Sequence, residues 1–294
     1  MKNKGTGLGI AAYVIWGLLT LYWKLIVGVS PLETICYRII WSFGFMIVFL
    51  LVSGKWQQFT AELHVLWKNK TYTLLIVLAA VLVSINWFTF IYTVSVGRVT
   101  EASLGYYINP LVNVLLATLV LKESLSRSGK IACVFVVIGV LLLSIQTGRV
   151  PYPSLIMAFS FSLYGLIKKR IPISSATGLT VETFVMLPFS LLYLLLAAPV
   201  GLMAYPLQTN MLLIGAGVVT AVPLLLFAEA AKNISYITLG FIQYINPTIM
   251  LLFAIFLFNE NYSLAQFTAF AFIWTGIAVF TYGTMQSVRK RKHH

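Results

Sequence analysis

The amino-acid sequence predicts an all-α membrane protein with ten transmembrane helices, arranged as two inverted repeats of five helices. Three observations lead to this fold: the apolar composition, the placement of basic residues between apolar segments, and a residue pattern repeated at a fixed spacing. Of the 294 residues, 60% are hydrophobic and 9% are charged. Soluble domains carry about 25% charged residues, so a chain this apolar must face lipid over most of its surface.

Ten apolar segments are long enough to cross a bilayer, whose core needs about 20 apolar residues per helix. They cover residues 7–26, 33–52, 72–95, 99–121, 130–147, 151–168, 180–199, 210–231, 234–258 and 264–286. The connection between the second and third segments, 55–70, is different. Its apolar residues recur at helical spacing among Lys, Gln and Glu, which predicts an amphipathic helix at the membrane surface.

The basic residues predict the orientation of these segments. With the N-terminus inside, sixteen Lys and Arg fall on the cytoplasmic side, and only Lys24, Arg98 and Arg149 fall on the other side. This bias predicts that both termini lie in the cytoplasm and that the chain resides in the cytoplasmic (inner) membrane. The net charge of +13 is spread between spans rather than gathered in one patch, so we expect no nucleic-acid partner.

An internal repeat relates the two halves of the chain. Six residues recur 137 positions later: Ile108, Asn109, Pro110, Glu123, Ser126 and Gly139 match Ile245, Asn246, Pro247, Glu260, Ser263 and Gly276. The sequence thus predicts two repeats, 1–147 and 148–294. Because each holds an odd number of spans, the second must be inverted, an arrangement common in secondary transporters with a substrate site near the midplane.

The roles of the repeated residues are predicted from their positions. A proline within a span frees a backbone carbonyl, which the neighbouring Asn can satisfy, or which can face a cavity together with the Asn. Both readings of Asn109 and Asn246 stay open. Ser126 and Ser263 are expected to be helix N-caps, and Glu123 and Glu260 to have structural roles at the membrane edges.

The chain resembles the RarD group of EamA-type permeases, in the drug/metabolite transporter superfamily. The residues that carry this resemblance span both halves: Tyr13, Trp16, Gly17, Trp23, Glu33, Arg38, Trp41, Asn86, Trp87, the stretch from Glu101 to Pro110, Tyr164, Gly165, Glu182, Thr183, Pro223, Gly240, Gln243 and Tyr244. The resemblance implies a ten-helix inverted-repeat fold and transport of metabolites or drugs. Thr20, Tyr37 and Glu229 depart from the group's pattern, and the last two bear on substrate or ion preference.

Two charged residues within spans are candidates for transport. Arg38 is expected to bind a carboxylate or phosphate, since guanidinium pairs bidentately with such groups. The alternative is that Arg38 snorkels to the interface. Glu229 is a candidate coupling-proton site, because burial favours the protonated carboxyl. Its alternative is a salt bridge to Lys232, three residues along the same helix.

Polar aromatic and amide side chains form the rest of the predicted substrate site. The aromatic residues are Trp16, Trp87, Tyr106, Tyr107, Tyr164 and Tyr244, which lie well inside their spans. The amides are Asn86, Asn109, Gln243 and Asn246. An aromatic cavity with few hydrogen-bonding groups suits amphipathic substrates, while the amides either orient the substrate or tie helices together.

The sequence favours a transporter over an enzyme. An integral-membrane enzyme acting on a lipid-linked substrate is the alternative, but such enzymes need carboxylate or histidine clusters. The chain has no Asp and no His within a span, and it lacks a phosphate-binding loop for ATP. We therefore expect no catalytic residue, no metal and no cofactor. The expected partners are a small-molecule substrate, membrane lipid and, by the Glu229 hypothesis, a proton.

Overall fold

The fold consists of helices throughout the part of the chain that the computed structural model describes, residues 2–96, 98–146, 151–257 and 263–292. Arg149 and Glu260, which entered the predictions above, lie outside these residues. The twelve helices are α1 (Lys2–Leu25), α2 (Pro31–Val52), α3 (Trp56–Lys68), α4 (Lys70–Ser95), α5 (Val99–Leu119), α6 (Arg127–Gln146), α7 (Tyr152–Arg170), α8 (Ser175–Leu196), α9 (Leu207–Asn233), α10 (Tyr236–Ile242), α11 (Ile245–Phe256) and α12 (Leu264–Lys292).

Nine helical segments among the described residues are long and apolar enough to cross a membrane. They correspond to nine of the ten predicted spans, with α10 and α11 together forming the ninth. The remaining one, predicted over 151–168, is α7. Its last turn carries Lys168, Lys169 and Arg170, which lower its hydropathy, so the count of ten stays a prediction.

Helix α3 matches the amphipathic helix predicted over 55–70. It buries Phe59 and Leu66, while Trp67 on another face is 80% exposed. Helical spacing of the apolar residues places one face toward the protein and leaves the other free for the membrane surface.

Serine caps set the beginnings of several helices. The Ser30 hydroxyl accepts a hydrogen bond from the Glu33 amide and forms a capping box at α2, and Ser174 caps α8 through the Thr177 amide. The predicted caps at Ser126 and Ser263 are confirmed. Their hydroxyls accept hydrogen bonds from the amides of Gly129 at 3.1 Å and Gln266 at 3.2 Å.

Helices from the two halves pack against each other in matching pairs. Helix α1 packs on α9 as α4 packs on α7, α1 packs on α11 as α7 packs on α5, and α2 pairs with α8 and α6 with α12. The α6–α12 pair makes the same contact in both directions. A Cβ added at Gly139 would lie 2.6 Å from the Ala269 carbonyl oxygen, and one at Gly276 would lie 2.8 Å from that of Ala132. Gly139 and Gly276, like Ala132 and Ala269, are 137 residues apart, as a two-fold relation requires.

Candidate substrate site

Arg38 is held inside the helix bundle rather than at its edge. Its Nε donates a hydrogen bond of 3.0 Å to the Thr220 hydroxyl on α9. Its guanidinium carbon lies 4.5 Å from the ring centroids of both Trp23 and Trp87. These contacts come from α1, α4 and α9, and cation–π contacts of this kind are worth about 0.5–2 kcal/mol each. The snorkelling alternative therefore does not describe Arg38.

The positive charge of Arg38 has no carboxylate partner among the described residues. The ion pairs formed by those residues join Arg98 to Glu101 and Lys168 to Glu182. The terminal nitrogens of Arg38 make no hydrogen bond to a described residue, and only its Nε is engaged. The Tyr106 side chain interacts electrostatically with the guanidinium. This arrangement leaves the fork of the guanidinium available for an acidic group.

Two of the predicted aromatic residues belong to a packed cluster at the centre. Trp16 and Tyr164 both pack against Phe161, with ring centroids 5.8 and 5.7 Å from it. Phe227 closes the cluster and stacks on Tyr164 at 6.1 Å. Tyr164 is fully buried. The structure thus brings Trp16 and Tyr164 together, in matching places of the two halves, as core rather than as the wall of an open cavity.

The first Asn-Pro pair and Asn86 tie helices together. The Asn109 amide donates to the Ala158 carbonyl at 3.3 Å, and its oxygen accepts from the Ser162 hydroxyl at 3.3 Å. The Asn86 amide donates to the Met157 carbonyl at 2.8 Å. All these partners are on α7, so Asn86 and Asn109 hold α4 and α5 against it.

The second Asn-Pro pair lies where its helix is broken between α10 and α11. The Asn246 side chain is buried and its oxygen has no hydrogen-bond partner among the described residues. Asn109 and Asn246 are repeat-related, yet only Asn109 is satisfied. A buried amide oxygen without a partner costs about 1–3 kcal/mol, so Asn246 is the stronger candidate for a ligand contact.

Gln243 ends α10 at this break. Its amide oxygen accepts hydrogen bonds from the Asn113 amide at 2.7 Å and the Tyr13 hydroxyl at 3.3 Å. Tyr107 and Tyr244 bind backbone carbonyls across the same interface. These contacts join α1 and α5 to the broken helix and fix the geometry around it.

Glu229 is not the buried carboxylate that its place in the sequence predicts. Its side chain is exposed, accepting hydrogen bonds from the Ser175 hydroxyl at 3.0 Å and the Asn233 amide at 2.9 Å. The alternative salt bridge to Lys232 is wrong as well, since the Lys232 ammonium donates to the Ile173 carbonyl. Glu229 lies on the side of α9 that faces away from the core, whereas its neighbours Ala228 and Ala230 are buried. Its coupling role stays a prediction without the burial that motivated it.

A buried ion pair escaped the sequence prediction. The Lys168 ammonium donates to Glu182 Oε1 at 2.7 Å, and the Tyr164 hydroxyl donates to Oε2 at 3.1 Å. Lys168 is 3% exposed and Glu182 2%. Lys168 precedes two further basic residues at a helix end and therefore resembled a cytoplasmic charge. The available signal was Glu182, two residues inside the predicted span 180–199.

Comparison with known proteins decides the family. Residues 3–145 match the EamA-like transporter family. Along nearly its whole length the chain is 45% identical to the uncharacterized transporter YojE of Bacillus subtilis, covering 99% of this chain and 98% of that one. It is 42% identical to the protein RarD of Salmonella typhimurium, covering 98% of each chain. The chain belongs to the EamA-like transporter family.

This EamA-like transporter is also similar to two more distantly related proteins. It is 23% identical to the chloramphenicol-sensitive protein RarD of Pseudomonas aeruginosa, over 99% of this chain and 98% of that one. A crystal structure with 19% sequence identity superposes with a TM-score of 0.71, covering 94% of this chain and 96% of the other. That likeness shows the fold alone. Family and relatives together identify a multi-pass membrane transporter of the RarD type, with a small-molecule substrate, and not an enzyme.

The transporter is closed around its centre. A small cavity lined by Ile39, Ser84, Trp87, Glu182, Thr183 and Leu224 has room for about one water molecule. A second, between Pro110 and Tyr244, is smaller still. Neither cavity is large enough for a metabolite, so binding one at either place requires the surrounding helices to move apart. Within the described ranges, no three His, Cys, Asp or Glu side chains come together as a metal site.

Carboxylates fasten the end of the bundle where α8 and α10 begin. Glu62 on α3 accepts hydrogen bonds from the Ser174 amide at 2.9 Å and hydroxyl at 2.7 Å. Glu123 accepts from the amides of Tyr236 at 2.8 Å and Ile237 at 3.0 Å. Both use the free N–H groups and positive end of a helix N-terminus. Glu123 thus has the structural role predicted for it.

The opposite end of the bundle is fastened by tyrosines. The Tyr205 hydroxyl donates to Glu33 at 2.9 Å, and the Met203 amide donates to the Tyr37 hydroxyl at 2.8 Å. Burial, together with the hydrogen bond to Glu33, raises the pKa of Tyr205 to about 12, so this hydroxyl stays a donor at neutral pH. With both ends fastened, the described chain has the geometry of a closed state.

Proposed function

We propose that the chain is a secondary active transporter that moves small metabolites or amphipathic drugs across the cytoplasmic membrane by alternating access. Two repeats, 1–147 and 148–294, provide ten membrane spans with both termini in the cytoplasm. The substrate binds between them near the midplane. Closure at both ends, together with matching helix pairs across the halves, supports this mechanism, in which one repeat rocks against the other.

The observation that carries the substrate class is the uncompensated guanidinium of Arg38. An arginine at the centre of a span costs about 2.5–3.5 kcal/mol on insertion scales. Arg38 is the eighth of the 22 residues of α2, within the apolar span, so it is retained for a partner or a wet path. Thr220 and the two indoles orient Arg38, yet its terminal nitrogens have no described partner. We infer that the preferred substrate carries a carboxylate or phosphate, bound bidentately by Arg38.

The surroundings of Arg38 define the rest of the substrate. Trp23 and Trp87 offer apolar rings next to the charge. A compact amphipathic anion would place its acidic group on Arg38 and its apolar part against these rings. The name of the chloramphenicol-sensitive relative makes amphipathic drugs the second class to test.

A ligand screen by thermal shift tests this proposal. Purified wild-type protein is heated with organic carboxylates, phosphate monoesters, amines and neutral amphipathic drugs. Ligand binding raises the apparent unfolding temperature. We expect stabilisation by one group of small anions, loss of that effect in Arg38→Ala, and its partial retention in Arg38→Lys. The exposed Arg127 supplies the control Arg127→Ala, which should respond as the wild type does. Equal stabilisation of Arg38→Ala and wild type would refute the anion site.

A further inference from the structure

Helices α2 and α8 carry opposite charges at the same position. Each follows a serine N-cap, Ser30 for α2 and Ser174 for α8, and each is 22 residues long. Arg38 is the eighth residue of α2, and Glu182 is the eighth residue of α8. The two helices pack against each other. In an inverted repeat, Arg38 and Glu182 therefore lie at equal depths from opposite faces of the membrane.

Trp87 on α4 lies next to Arg38 and also lines the cavity beside Glu182. Its ring lies 4.5 Å from the Arg38 guanidinium carbon. It also lines the small cavity that Glu182 lines, together with Ser84 and Thr183. The cavity has about the volume of one water molecule, so the carboxylate of Glu182 has a small, mostly apolar space on the side toward Trp87.

Glu182 is surrounded by few charged or titratable groups. From α7 it receives the Lys168 ammonium and the Tyr164 hydroxyl. From α9, the Lys232 ammonium interacts with the Glu182 carboxylate electrostatically at longer range. On α2, the charged residue at the matching eighth position is Arg38. Helix α4 presents Ser84 and Trp87, which do not titrate. From α3, Glu62 binds the N-terminus of α8 instead.

A purely structural role explains this pair poorly. Burying two charges costs several kcal/mol of desolvation for each ion, and well-packed apolar side chains would join α7 to α8 at least as strongly. The glycine at 178 leaves room for the ammonium, because a Cβ at Gly178 would lie 2.6 Å from Lys168 Nζ. Ionisable residues kept inside a membrane protein are by default functional.

We propose that Glu182 is the proton-binding site that couples this transporter to a proton gradient, with Lys168 as the tethered cation that replaces the proton. This inference rests on the proposed function. A proton from water adds to the Glu182 carboxylate, while Lys168 remains protonated and its ion pair breaks. When the site opens to the other side, the proton returns to water and the ion pair with Lys168 forms again.

Coupling to the substrate follows from the charges. A substrate anion on Arg38 cancels one of the positive charges that oppose protonation of Glu182. Anion and proton therefore bind with positive cooperativity, and by linkage each strengthens the other to the same degree. A site with both ligands bound carries the anion and the proton in the same direction.

Infrared difference spectroscopy of the full chain in lipid nanodiscs tests proton binding directly, with protons as the only added ligand. On acidification, we expect a protonated-carboxyl band to appear in the wild type, and its component from the buried Glu182 to be lost in Glu182→Gln. The matched control is Glu229→Gln, which removes an exposed carboxylate and should keep the band. A band that persists unchanged in Glu182→Gln, or its absence from the folded wild type, overturns the proposal.

A second variant covers the case that Glu182→Gln does not fold. In Lys168→Gln the cation is gone, and the titration of the carboxyl band should move to higher pH by about one unit or more. The proposal requires that Glu182 takes up a proton in the folded protein and that Lys168 opposes this uptake, so an unmoved or missing titration overturns it.

The two proposals fail separately. A missing Glu182 titration with Arg38-dependent ligand binding intact removes the proton site and leaves the transporter proposal standing. Loss of Arg38-dependent binding with the Glu182 titration intact removes the anion site instead.

Discussion

Tyr107 and Tyr244 stand 137 residues apart in the sequence and hydrogen-bond into each other's helices. The Tyr244 hydroxyl donates to the Tyr107 carbonyl, and the Tyr107 hydroxyl donates to the Pro247 carbonyl, each at 3.2 Å. Both hydroxyls are buried. The two repeat-related segments around Tyr107 and Tyr244 therefore contact each other at the interface between the halves. This contact lies next to the break between α10 and α11, where the Asn246 side-chain oxygen has no described partner.

The α6–α12 contact predicts a loss of stability when either of its glycines gains a methyl group. Gly139→Ala and Gly276→Ala each place a Cβ closer than 3 Å to a backbone carbonyl oxygen. Backbone cannot move aside as a flexible side chain can, so we expect each variant to lose about 1–3 kcal/mol of unfolding free energy. Chemical denaturation in detergent measures this change.

Gly7→Ala is the matched control for these variants. Gly7 also lies in a helix, but a Cβ there meets nothing within 4 Å. This variant should be as stable as the wild type or slightly more so, because Ala favours helix over Gly. Equal stability of all three variants would mean that α6 and α12 are not in such close contact.

The buried ion pair predicts a non-additive result in a double-mutant cycle. Lys168→Met alone leaves the Glu182 carboxylate buried without its cation, and Glu182→Gln alone leaves the ammonium unpaired. Each should cost about 3–5 kcal/mol of unfolding free energy. The double variant should cost clearly less than the sum, because no buried charge remains. Additive losses would show that the two side chains act independently.

Glu62 predicts a stability contribution that depends on pH. Partial burial alone raises its pKa, but hydrogen bonds from Thr177, Ser174 and Gln58 outweigh that effect and lower the pKa below its ordinary value. The contribution is therefore fully present above the pKa of an unfolded glutamate. It is lost as the pH falls through the lower pKa of the folded state.

Comparing Glu62→Gln with the wild type over a range of pH measures this contribution. The wild type should be the more stable at neutral pH, and the difference should shrink on acidification. A difference that is constant with pH would contradict an ionised Glu62 at the start of α8. Gln57, exposed on the same helix and without a titratable group, offers Gln57→Ala as a control that should leave the acid dependence of the wild type unchanged.

The sequence predicts more of the fold than of the candidate site. Span positions depend on hydropathy summed over many residues, and the repeat depends on several identities at one spacing, so errors at single positions matter little. Arg38 is identifiable from the sequence because a single charge within an apolar segment is costly and is retained only where it has a partner or a function. The burial predicted for Glu229 is wrong, because a span does not reveal which face of its helix meets the core. The burial of Lys168 does not follow from the sequence because its partner Glu182 lies on another helix, and only the folded structure brings the two side chains together.

Uptake into proteoliposomes tests the central claim most directly. With an anion identified by the thermal-shift screen, wild-type protein should accumulate the labelled compound and Arg127→Ala should match it. Arg38→Ala should show no uptake above empty liposomes, although it inserts and folds. Accumulation by Arg38→Ala at the wild-type rate and with the wild-type KM would contradict transport of an anion through Arg38.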